Sequence, residues 1–481
     1  MKAMDKYEAV IGLEVHAQLQ TESKLFCGDS IAFGAKPNTH ISPITLGHPG
    51  TLPKTNKKAV EFAIKMGLAC NCEIEKDNYF ARKNYFYPDL PKGYQISQHT
   101  TPICKGGHVV IKTTEGERSI ELNRIHLEED AGKSIHDVYD NHSCIDLNRA
   151  GTPLIEIVTE PCLHSSDEAY LYVSELRRLV RWLGVCDGNM EEGSLRCDAN
   201  VSIRLKGETK LGTKVEVKNL NSIRNVKKAI EFEIERMIKV VEGGGTITQQ
   251  TRSFDASNDT TFSLRDKEEA NDYRYFADPD LAPFHLTEEF IDNIAASLPE
   301  LPYQLAHKYQ QQYGLSEYNA HILCEDKPTA DYFNRVIQHT HNYKAVANWM
   351  LGPIKQYLNE QGASFETLKL LPNILAELIK IVEEGKVNFS VASSQILPTL
   401  IEQNKHPLQL AEELNLLQVS NTNELEAWID EALAKMPDKV SEYKKGKKGL
   451  IGLFVGEVKK LSKGKADPKV VTDLLQHKLS Q

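Results

Sequence analysis

The chain has 481 residues, a net charge of −10 and the composition of an ordinary soluble globular protein, so it is too long for one core and predicts two to four domains. The acidic charge argues against indiscriminate nucleic-acid binding. Nine cysteines without a dense framework predict reduced thiols in a cytoplasmic protein. The absence of an apolar leader, and of any run of 18 apolar residues, predicts neither export nor a membrane span.

The first predicted element is a half-buried strand over residues 9–19. Apolar residues there alternate with Gly12, Glu14, His16 and Gln18. Because successive side chains of a strand point to opposite faces, Glu14 and His16 project from the same face.

Three helices are predicted among the short alternating runs of the first 290 residues. Helical spacing of apolar residues marks 57–68 and 223–241. A third helix, 166–183, has serines and acids at its start and Gly184 at its end.

Residues 79–94 form an unusual loop in which aromatic residues are interleaved with Arg82, Lys83 and Lys92. Such a loop can stack a base and neutralise phosphate. Packed aromatic loops are commoner than binding ones, so both interpretations stay open on these residues alone.

An acidic cluster follows at residues 128–130, directly before Gly132, Lys133 and Ser134. A P-loop would need a glycine at position 127, where the chain has leucine, so we reject a nucleotide site of that kind. Three acids beside a lysine still suit Mg²⁺ and phosphates, because that hard cation prefers oxygen ligands.

Residues 145–161 predict a strand, a bend fixed by Gly151 and Pro153, and a second strand. The polar side chains of this segment are Arg149, Glu156 and Glu160.

The most informative pattern lies in residues 190–204, where apolar side chains alternate with a polar row from position 195 onward. That row is Arg196, Asp198, Asn200, Ser202 and Arg204. Arginine, carboxylate and amide groups together indicate a phosphate or metal site. A solvated strand with a fortuitous ion pair is the competing interpretation.

Residues 213–219 predict another strand, with Lys214, Glu216 and Lys218 on its polar face. Glycines at 207 and 212 predict a turn that folds this strand antiparallel onto the previous one. Three strands with acid, imidazole and lysine on the polar face suggest one shared cradle.

After residue 299 the pattern changes to helices without strands. Helical spacing marks residues 328–339, 345–351, 371–384 and 408–417. We therefore predict an α+β protein with a β-rich cradle domain (1–295), a helical domain (296–405) and a small helical tail (406–481). From position 436 the tail has eleven lysines against five acids, which suits contact with a polyanion or simple solubilisation.

Five segments, residues 82–98, 145–161, 190–204, 218–222 and 272–276, resemble the GatB family, the kinase component of tRNA-dependent amidotransferases, and the similarity runs from residue 7 to the C-terminus. The resemblance implies an ATP-dependent enzyme that phosphorylates the side-chain carboxylate of Glu on tRNA-Gln, or of Asp on tRNA-Asn. Ammonia then displaces the phosphate. It also implies a heterotrimer with an amidase-type glutaminase (the A subunit) and a small third protein (the C subunit), and a tail that contacts tRNA.

The resemblance also implies site residues. It assigns Mg²⁺ binding to Glu14, His16, Glu129, Asp198 and Glu216. Catalytic contacts to phosphate are predicted for Lys83, Lys133 and Arg196. Nucleotide binding is predicted for Arg149, Asn200 and Lys214.

Some features depart from the family pattern. A four-cysteine zinc knuckle found in many relatives would align with Cys27, Asp29, Ser42 and Thr45, and one thiol cannot form such a site, so we expect no zinc. Gln250 stands where the family has glutamate. The chain also lacks a Gly-Gly-Ser-Ser-Gly stretch typical of amidases and the inserted domain of archaeal relatives.

Two other functions remain open at this point. One alternative to the kinase is a tRNA-binding scaffold with a structural acid cluster. The other is a free-standing Mg²⁺-dependent transferase acting on a small acid. The scaffold predicts tRNA binding without ATP turnover, and the transferase predicts turnover without tRNA.

Overall fold

The computed structural model describes residues 6–266, 272–418, 422–462 and 464–480. The chain divides into two compact units, Met1–Leu301 and Pro302–Gln481. A large sheet in the first unit and helices throughout the second confirm the predicted α+β class. The division into three domains stays a prediction.

The strands are β1 Tyr7–Gln18, β2 Glu73–Ile74, β3 Asp77–Asn78, β4 Ala81–Asn84, β5 Tyr94–Ser97, β6 Cys104–Lys105, β7 His108–Thr113, β8 Gly116–Glu129, β9 Lys133–Tyr139, β10 His142–Asp146, β11 Pro153–Thr159, β12 Leu195–Leu205, β13 Val215–Leu220, β14 Gln250–Asp255, β15 Thr260–Asp266, β16 Phe276–Ala277 and β17 Phe284–His285. The helices of the first unit are α1 Lys57–Ala69, α2 Ser166–Trp182, α3 Ile223–Glu242 and α4 Glu288–Ala296.

Within the described residues, thirteen strands form one mixed sheet with the central order β15-β14-β13-β12-β1-β11-β8-β5-β4-β16. Strand β1 lies between β12 and β11 and is antiparallel to both. The predicted antiparallel pairing of β12 with β13 is confirmed. The next pair, β13 and β14, is parallel because α3 connects them, as a parallel pair requires a crossover.

One face of this sheet is apolar and packs against helices. Ile11, Leu13 and Val15 of β1 are fully buried. Helix α3 packs on β12, and α2 packs on α3 and β7. All three predicted helices of this unit are confirmed, and α2 begins as predicted, with the Ser165 hydroxyl accepting a hydrogen bond from the Glu168 amide.

The predicted strand, bend and second strand over 145–161 are present as the end of β10, the turn at Gly151 and β11. Gly151 does form the bend, with φ of 82°. However, β10 pairs with β9 in a separate two-stranded hairpin, while β11 joins the large sheet between β1 and β8. The two strands flanking the bend are therefore not partners, since the bend leads from one sheet into another.

The second unit is helical where the structure describes it. Its helices are α5 Pro302–Tyr313, α6 Glu317–Leu323, α7 Lys327–Val336, α8 Tyr343–Trp349, α9 Lys355–Glu360, α10 Pro372–Glu383, α11 Phe389–Val391, α12 Leu397–Gln403, α13 Pro407–Glu413, α14 Thr422–Ala434, α15 Pro437–Lys444, α16 Ile451–Leu461 and α17 Pro468–Ser480. The four predicted helical segments correspond to α7, α8, α10 and α13. Residues of α14 to α17 share a hydrophobic cluster that includes Leu425, Phe454 and Leu475.

A helix that crosses a bilayer needs about 20 predominantly apolar residues. Among the described residues, no helix is both long and apolar enough to cross a membrane.

Candidate active site

The second face of the large sheet is polar, and strand register brings its side chains together. In β1, Glu14 lies opposite Asp198 of β12, and His16 lies opposite Glu156 of β11. Directly opposed residues of antiparallel strands project to the same side. The same register places His126 of β8 opposite Glu156. Four adjacent strands therefore present acids and imidazoles to one pocket.

Three of these side chains form a group that can hold a metal ion. One ligand atom each from His16, Glu128 and Glu156 lies within 4.8 Å of the other two. The Nε2 atom of His16 is 3.6 Å from a Glu128 carboxylate oxygen and 3.8 Å from one of Glu156. The atoms are thus close enough to share one ion but not in contact with one another.

His126 lies against the same two carboxylates. Its Nε2 is 3.1 Å from Glu156 and 3.6 Å from Glu128. Burial lowers the pKa of His126, but Glu156 and Glu128 more than offset this and raise it to about 9. The pKa of the Glu156 carboxyl is raised by burial but falls well below its usual range because of His126 and His16. His126 therefore helps to keep Glu156 ionised.

A second set of carboxylates lies beside the first. Asn200 donates to Glu14 at 2.9 Å. Lys218 bridges Asp198 at 2.6 Å and Glu216 at 3.1 Å. Burial is the largest cause of the raised pKa of Glu14, and the neighbouring acids Glu156, Asp198 and Glu216 raise it further.

The donor set suits a divalent cation. Six carboxylates line this pocket, against three lysine or arginine side chains. Carboxylate oxygens are the ligands that Mg²⁺ prefers, and that ion usually keeps several of its waters. Glu128 and Glu156 therefore fit direct ligation of Mg²⁺, while the imidazole of His16 fits contact through a bound water.

Cationic side chains complete the pocket, whose volume is about 610 Å³. Lys83, Arg196 and Lys218 line it together with the acids. Arg196 donates to the buried Asp130 at 2.9 Å, and Gln18 donates to the same carboxylate oxygen at 2.7 Å. Asp130 thus fixes the guanidinium at the pocket wall.

Two family models match the chain. Residues 9–292 match the GatB/GatE catalytic domain, and residues 331–479 match the GatB domain. The chain belongs to the GatB family.

Relatives in the family match almost end to end. A protein of Geotalea daltonii is 50% identical over 477 residues, which cover 98% of this chain and 99% of the relative. Proteins of Myxococcus xanthus and Thermodesulfovibrio yellowstonii are 48% and 49% identical, with 98% of each chain covered. All three are named as the B subunit of an aspartyl/glutamyl-tRNA(Asn/Gln) amidotransferase.

The structure brings most of the predicted site residues into the pocket of this GatB-family chain. The predicted residues that line it are Glu14, His16, Lys83, Arg196, Asp198 and Glu216. Asn200, predicted to bind nucleotide, is bonded to Glu14. These placements agree with the predicted polar face, and the roles of the residues stay predictions.

Four predicted residues lie elsewhere. Lys133 and Lys214 are exposed and do not line the pocket. Arg149 donates to the carbonyls of Ala131 and Gly132 at 2.9 and 2.6 Å, so it braces the backbone behind Asp130. Glu129, predicted to bind Mg²⁺, points to the other side of β8, because consecutive strand residues face opposite ways.

Glu129 lines a neighbouring pocket with a volume of about 260 Å³. There its Oε1 atom accepts from the Lys92 ammonium and, at 2.9 Å, from the Ile96 amide. The structure therefore does not bring Glu129 to the His16 cluster.

Sequence reasoning did not assign three residues of the site. Glu128, Glu156 and Lys218 are in the pocket, yet none was assigned as a site residue: Glu128 belongs to the acidic cluster predicted to suit Mg²⁺, but the ligand assigned from that cluster was Glu129. Alternation along β8 could have distinguished Glu128 from Glu129, since Ile125 and Leu127 share the face of Glu129. For Glu156 no such signal exists, because only the pairing of β11 with β1 and β8 brings it to His16.

The two departures from the family pattern have visible local structures. Asp29 accepts hydrogen bonds from Thr45 at 2.5 Å and Cys27 at 3.3 Å, so these aligned positions do come together. Gln250 accepts from Arg252 at 2.5 Å and is not among the residues lining the active-site pocket.

Proposed function

We propose that this chain is the kinase component of an aspartyl/glutamyl-tRNA amidotransferase, and that it activates the side-chain carboxylate of Glu on tRNA-Gln, Asp on tRNA-Asn, or both, with ATP. The observation that supports this most directly is the pocket in which His16, Glu128 and Glu156 converge beside Lys83 and Arg196. The names of relatives about half identical over the full chain supply the substrate class.

The chemistry requires such a pocket. A carboxylate resists ammonia until one of its oxygens becomes a leaving group. Attack of that oxygen on the γ-phosphorus of ATP forms an acyl phosphate and releases ADP. Ammonia then adds to the acyl carbon, phosphate departs with the C–O bond, and the nitrogen loses a proton to give the amide. Both reacting groups in the first step are anions, so cationic side chains and a metal must offset their charge.

The side chains divide this work by position. Glu128 and Glu156 would hold Mg²⁺, with His16 in contact through water, and the bound ion would supply charge stabilisation to phosphate oxygens. Lys83 and Arg196 would contact the transferred phosphoryl group. Asp130 and Gln18 keep the guanidinium of Arg196 directed at the pocket.

Ammonia must come from elsewhere, because the sequence has no Gly-Gly-Ser-Ser-Gly stretch of the amidase type. The proposed partners are therefore an amidase-type glutaminase and a small third protein, the A and C subunits of a cytoplasmic heterotrimer. Glutamine hydrolysis in the glutaminase would deliver ammonia to the activated carboxylate.

Reconstitution tests the proposal. The chain is co-expressed with the A and C subunits from the same organism, and the complex is given glutamine, Mg²⁺, ATP and either Glu-tRNA-Gln or Asp-tRNA-Asn. ATP hydrolysis that depends on charged tRNA, together with amide formation, supports the proposed kinase role. Binding of tRNA without ATP turnover would leave the scaffold, and turnover without tRNA would leave the free-standing transferase.

A further inference from the structure

A row of aromatic rings adjoins the acid cluster of the pocket, and we call it the aromatic wall: Tyr85, Tyr273, Tyr275 and His99. Tyr273 meets Tyr85 and Tyr275 edge to face, with ring centroids 6.0 Å apart in each pair. His99 stacks on Tyr275 at 3.9 Å with an interplanar angle of 6°. Tyr85 and Tyr273 line the same pocket as Glu128 and Glu156.

The wall is held in place through its backbone. The amide of Asn84 donates to the carbonyl of Tyr273 at 3.0 Å, and its side chain donates to the carbonyls of Tyr273 and Arg274 at 3.1 and 2.8 Å. Next to this clamp, β16 pairs with β4. The rings are therefore positioned before any ligand arrives, which lowers the entropic cost of stacking against them.

Tyr85 and Tyr273 are not core tyrosines. Both are only half-buried and line an open pocket. A buried tyrosine normally pairs its hydroxyl. The Tyr85 hydroxyl has no hydrogen-bond partner in the part of the chain that the structure describes, although burial raises the pKa of this group. Part of an aromatic surface and a polar hydroxyl are thus left for a ligand.

Lys83 connects the wall to the acids. Its ammonium lies 4.9 Å from the centroid of the Tyr273 ring and 5.8 Å from that of Tyr85. Burial lowers the pKa of Lys83, but Glu128 and other neighbours outweigh it and raise the pKa, so the amine stays charged. A flat ring placed on the wall would therefore have a phosphate-binding cation and the metal-binding carboxylates next to it.

We infer that the aromatic wall stacks an adenine ring, with Tyr85 and Tyr273 as the contact residues. This inference rests on the proposed function, in which adenine enters the pocket from two sources: ATP and the 3′-terminal adenosine that carries the amino acid. Both sources join an adenine ring to the group that must reach Lys83 and the acids. Stacking on aromatic faces is the mode by which proteins commonly hold single bases.

The test uses the reconstituted heterotrimer with Tyr85→Leu and Tyr273→Leu. The KM for ATP is measured at saturating charged tRNA, and the KM for charged tRNA is measured at saturating ATP. Loss of one stacking ring should raise one of the two constants about 5-fold to 100-fold. The constant that rises identifies the source of the adenine.

Matched variants separate stacking from other effects. Tyr273→Phe retains the ring and should recover most of the affinity lost in Tyr273→Leu. Tyr318→Leu makes the same change at an exposed tyrosine of the second unit and controls for general destabilisation. If both wall variants amidate with wild-type constants for ATP and tRNA, the wall does not stack adenine, and the proposed function survives. If the wild-type complex shows no tRNA-dependent ATP turnover, the proposed function itself fails and the adenine inference fails with it.

Discussion

Glu128 and Glu129 are neighbours in the sequence, yet they belong to two regions with opposite electrostatic character. Glu128 faces His16, His126 and Glu156 in a pocket where acids outnumber their direct cationic partners. Glu129 faces Lys92 and the Ile96 amide, which together satisfy one of its oxygens. Carboxylates that converge with an imidazole at an open pocket are suited to bind a cation, whereas a carboxylate held by a lysine and a backbone amide stabilises the fold.

The same contrast extends along both regions. In the active-site pocket Glu14 has a raised pKa, with burial the largest cause and nearby acids contributing. At the neighbouring pocket, which Cys27 and Thr45 line, Asp29 is the shared acceptor for these two residues. Lys24 there donates to the carbonyls of His40 and Leu147 at 2.8 and 3.3 Å. The second region is therefore a hydrogen-bonded support for the loops, and the first is a pocket in which acids are concentrated.

The largest predicted effect comes from neutralising the two carboxylates beside His16. Glu128→Gln or Glu156→Gln should lower amidation by about 100-fold or more, on the scale of losing one preorganised charged group. The glutaminase activity of the partner should be retained, because these residues are not part of that site. The measurement is the rate of amide formation on charged tRNA over a range of Mg²⁺ concentrations.

Glu160→Gln provides the matched control for these two variants. Glu160 lies one residue beyond the end of β11, accepts a hydrogen bond from the Asn123 side chain and does not line the pocket. A wild-type dependence on Mg²⁺ in both Glu128→Gln and Glu156→Gln would remove the cluster as the metal site.

A smaller loss is expected when Arg196 loses its anchor. Asp130→Asn removes the charge that holds Arg196, and it weakens the ion pair with Arg149, whose Nε lies 3.7 Å from the same carboxylate oxygen. Amidation should therefore fall by roughly 10-fold to 100-fold, as for other residues that orient a functional group. Asp130→Glu retains a carboxylate that can hold the charged Arg196, so this variant should keep part of the rate that Asp130→Asn loses.

The rate comparison also distinguishes positioning from folding. If Arg196 contacts the transferred phosphoryl group, kcat should fall more than the KM for ATP rises, since the contact is made mainly in the transition state. A lower unfolding temperature with unchanged kcat in Asp130→Asn would show that this carboxylate is only structural.

Much of this architecture is predictable from sequence because it depends on local periodicity. The alternation of residues 195–203 placed Arg196, Asp198 and Asn200 on one face, and the pairing of β1 with β12 brings that face to Glu14 and His16. The partner of His16 on the other side of β1 is a different case. Glu156 reaches His16 only because β11 inserts between β1 and β8. Pairing between distant strands leaves no periodic signal, so the metal group could be predicted only in part.

The Glu129 side of β8 should respond in stability rather than in catalysis. Glu129→Gln leaves the partly buried Lys92 ammonium without its charge partner, and such a loss costs at most about 3 kcal/mol in the free energy of unfolding. The amide oxygen of Gln can still accept from Ile96, so the local backbone should persist. Denaturant unfolding measures the loss, and the Mg²⁺ dependence of amidation measures whether Glu129 is a ligand.

These two readouts make Glu129 a direct comparison with Glu128. A Glu129→Gln variant that needs much more Mg²⁺ than wild type, at unchanged unfolding free energy, would restore Glu129 to the metal site that the sequence predicted. The opposite result would confirm that adjacent acids on β8 have separate functions.

The smallest expected signal concerns zinc in the neighbouring pocket. Elemental analysis of the purified chain should give well under one zinc per chain, because only Cys27 of the four aligned positions offers a thiolate.

Hydrogen bonds to Asp29 hold the loop where relatives with four cysteines are expected to hold a metal. The Cys27 Sγ and Thr45 Oγ1 atoms lie 3.4 Å apart. Since a Zn–S bond of about 2.3 Å separates neighbouring sulfurs by roughly 3.8 Å, these two positions are spaced as two zinc ligands would be. Replacing Asp29, Ser42 and Thr45 together by cysteine should therefore create a site that binds one zinc per chain. Stoichiometric zinc in the unmodified chain would show that the cysteines are misaligned, and no binding by the triple variant would show that the loop has diverged from the knuckle conformation.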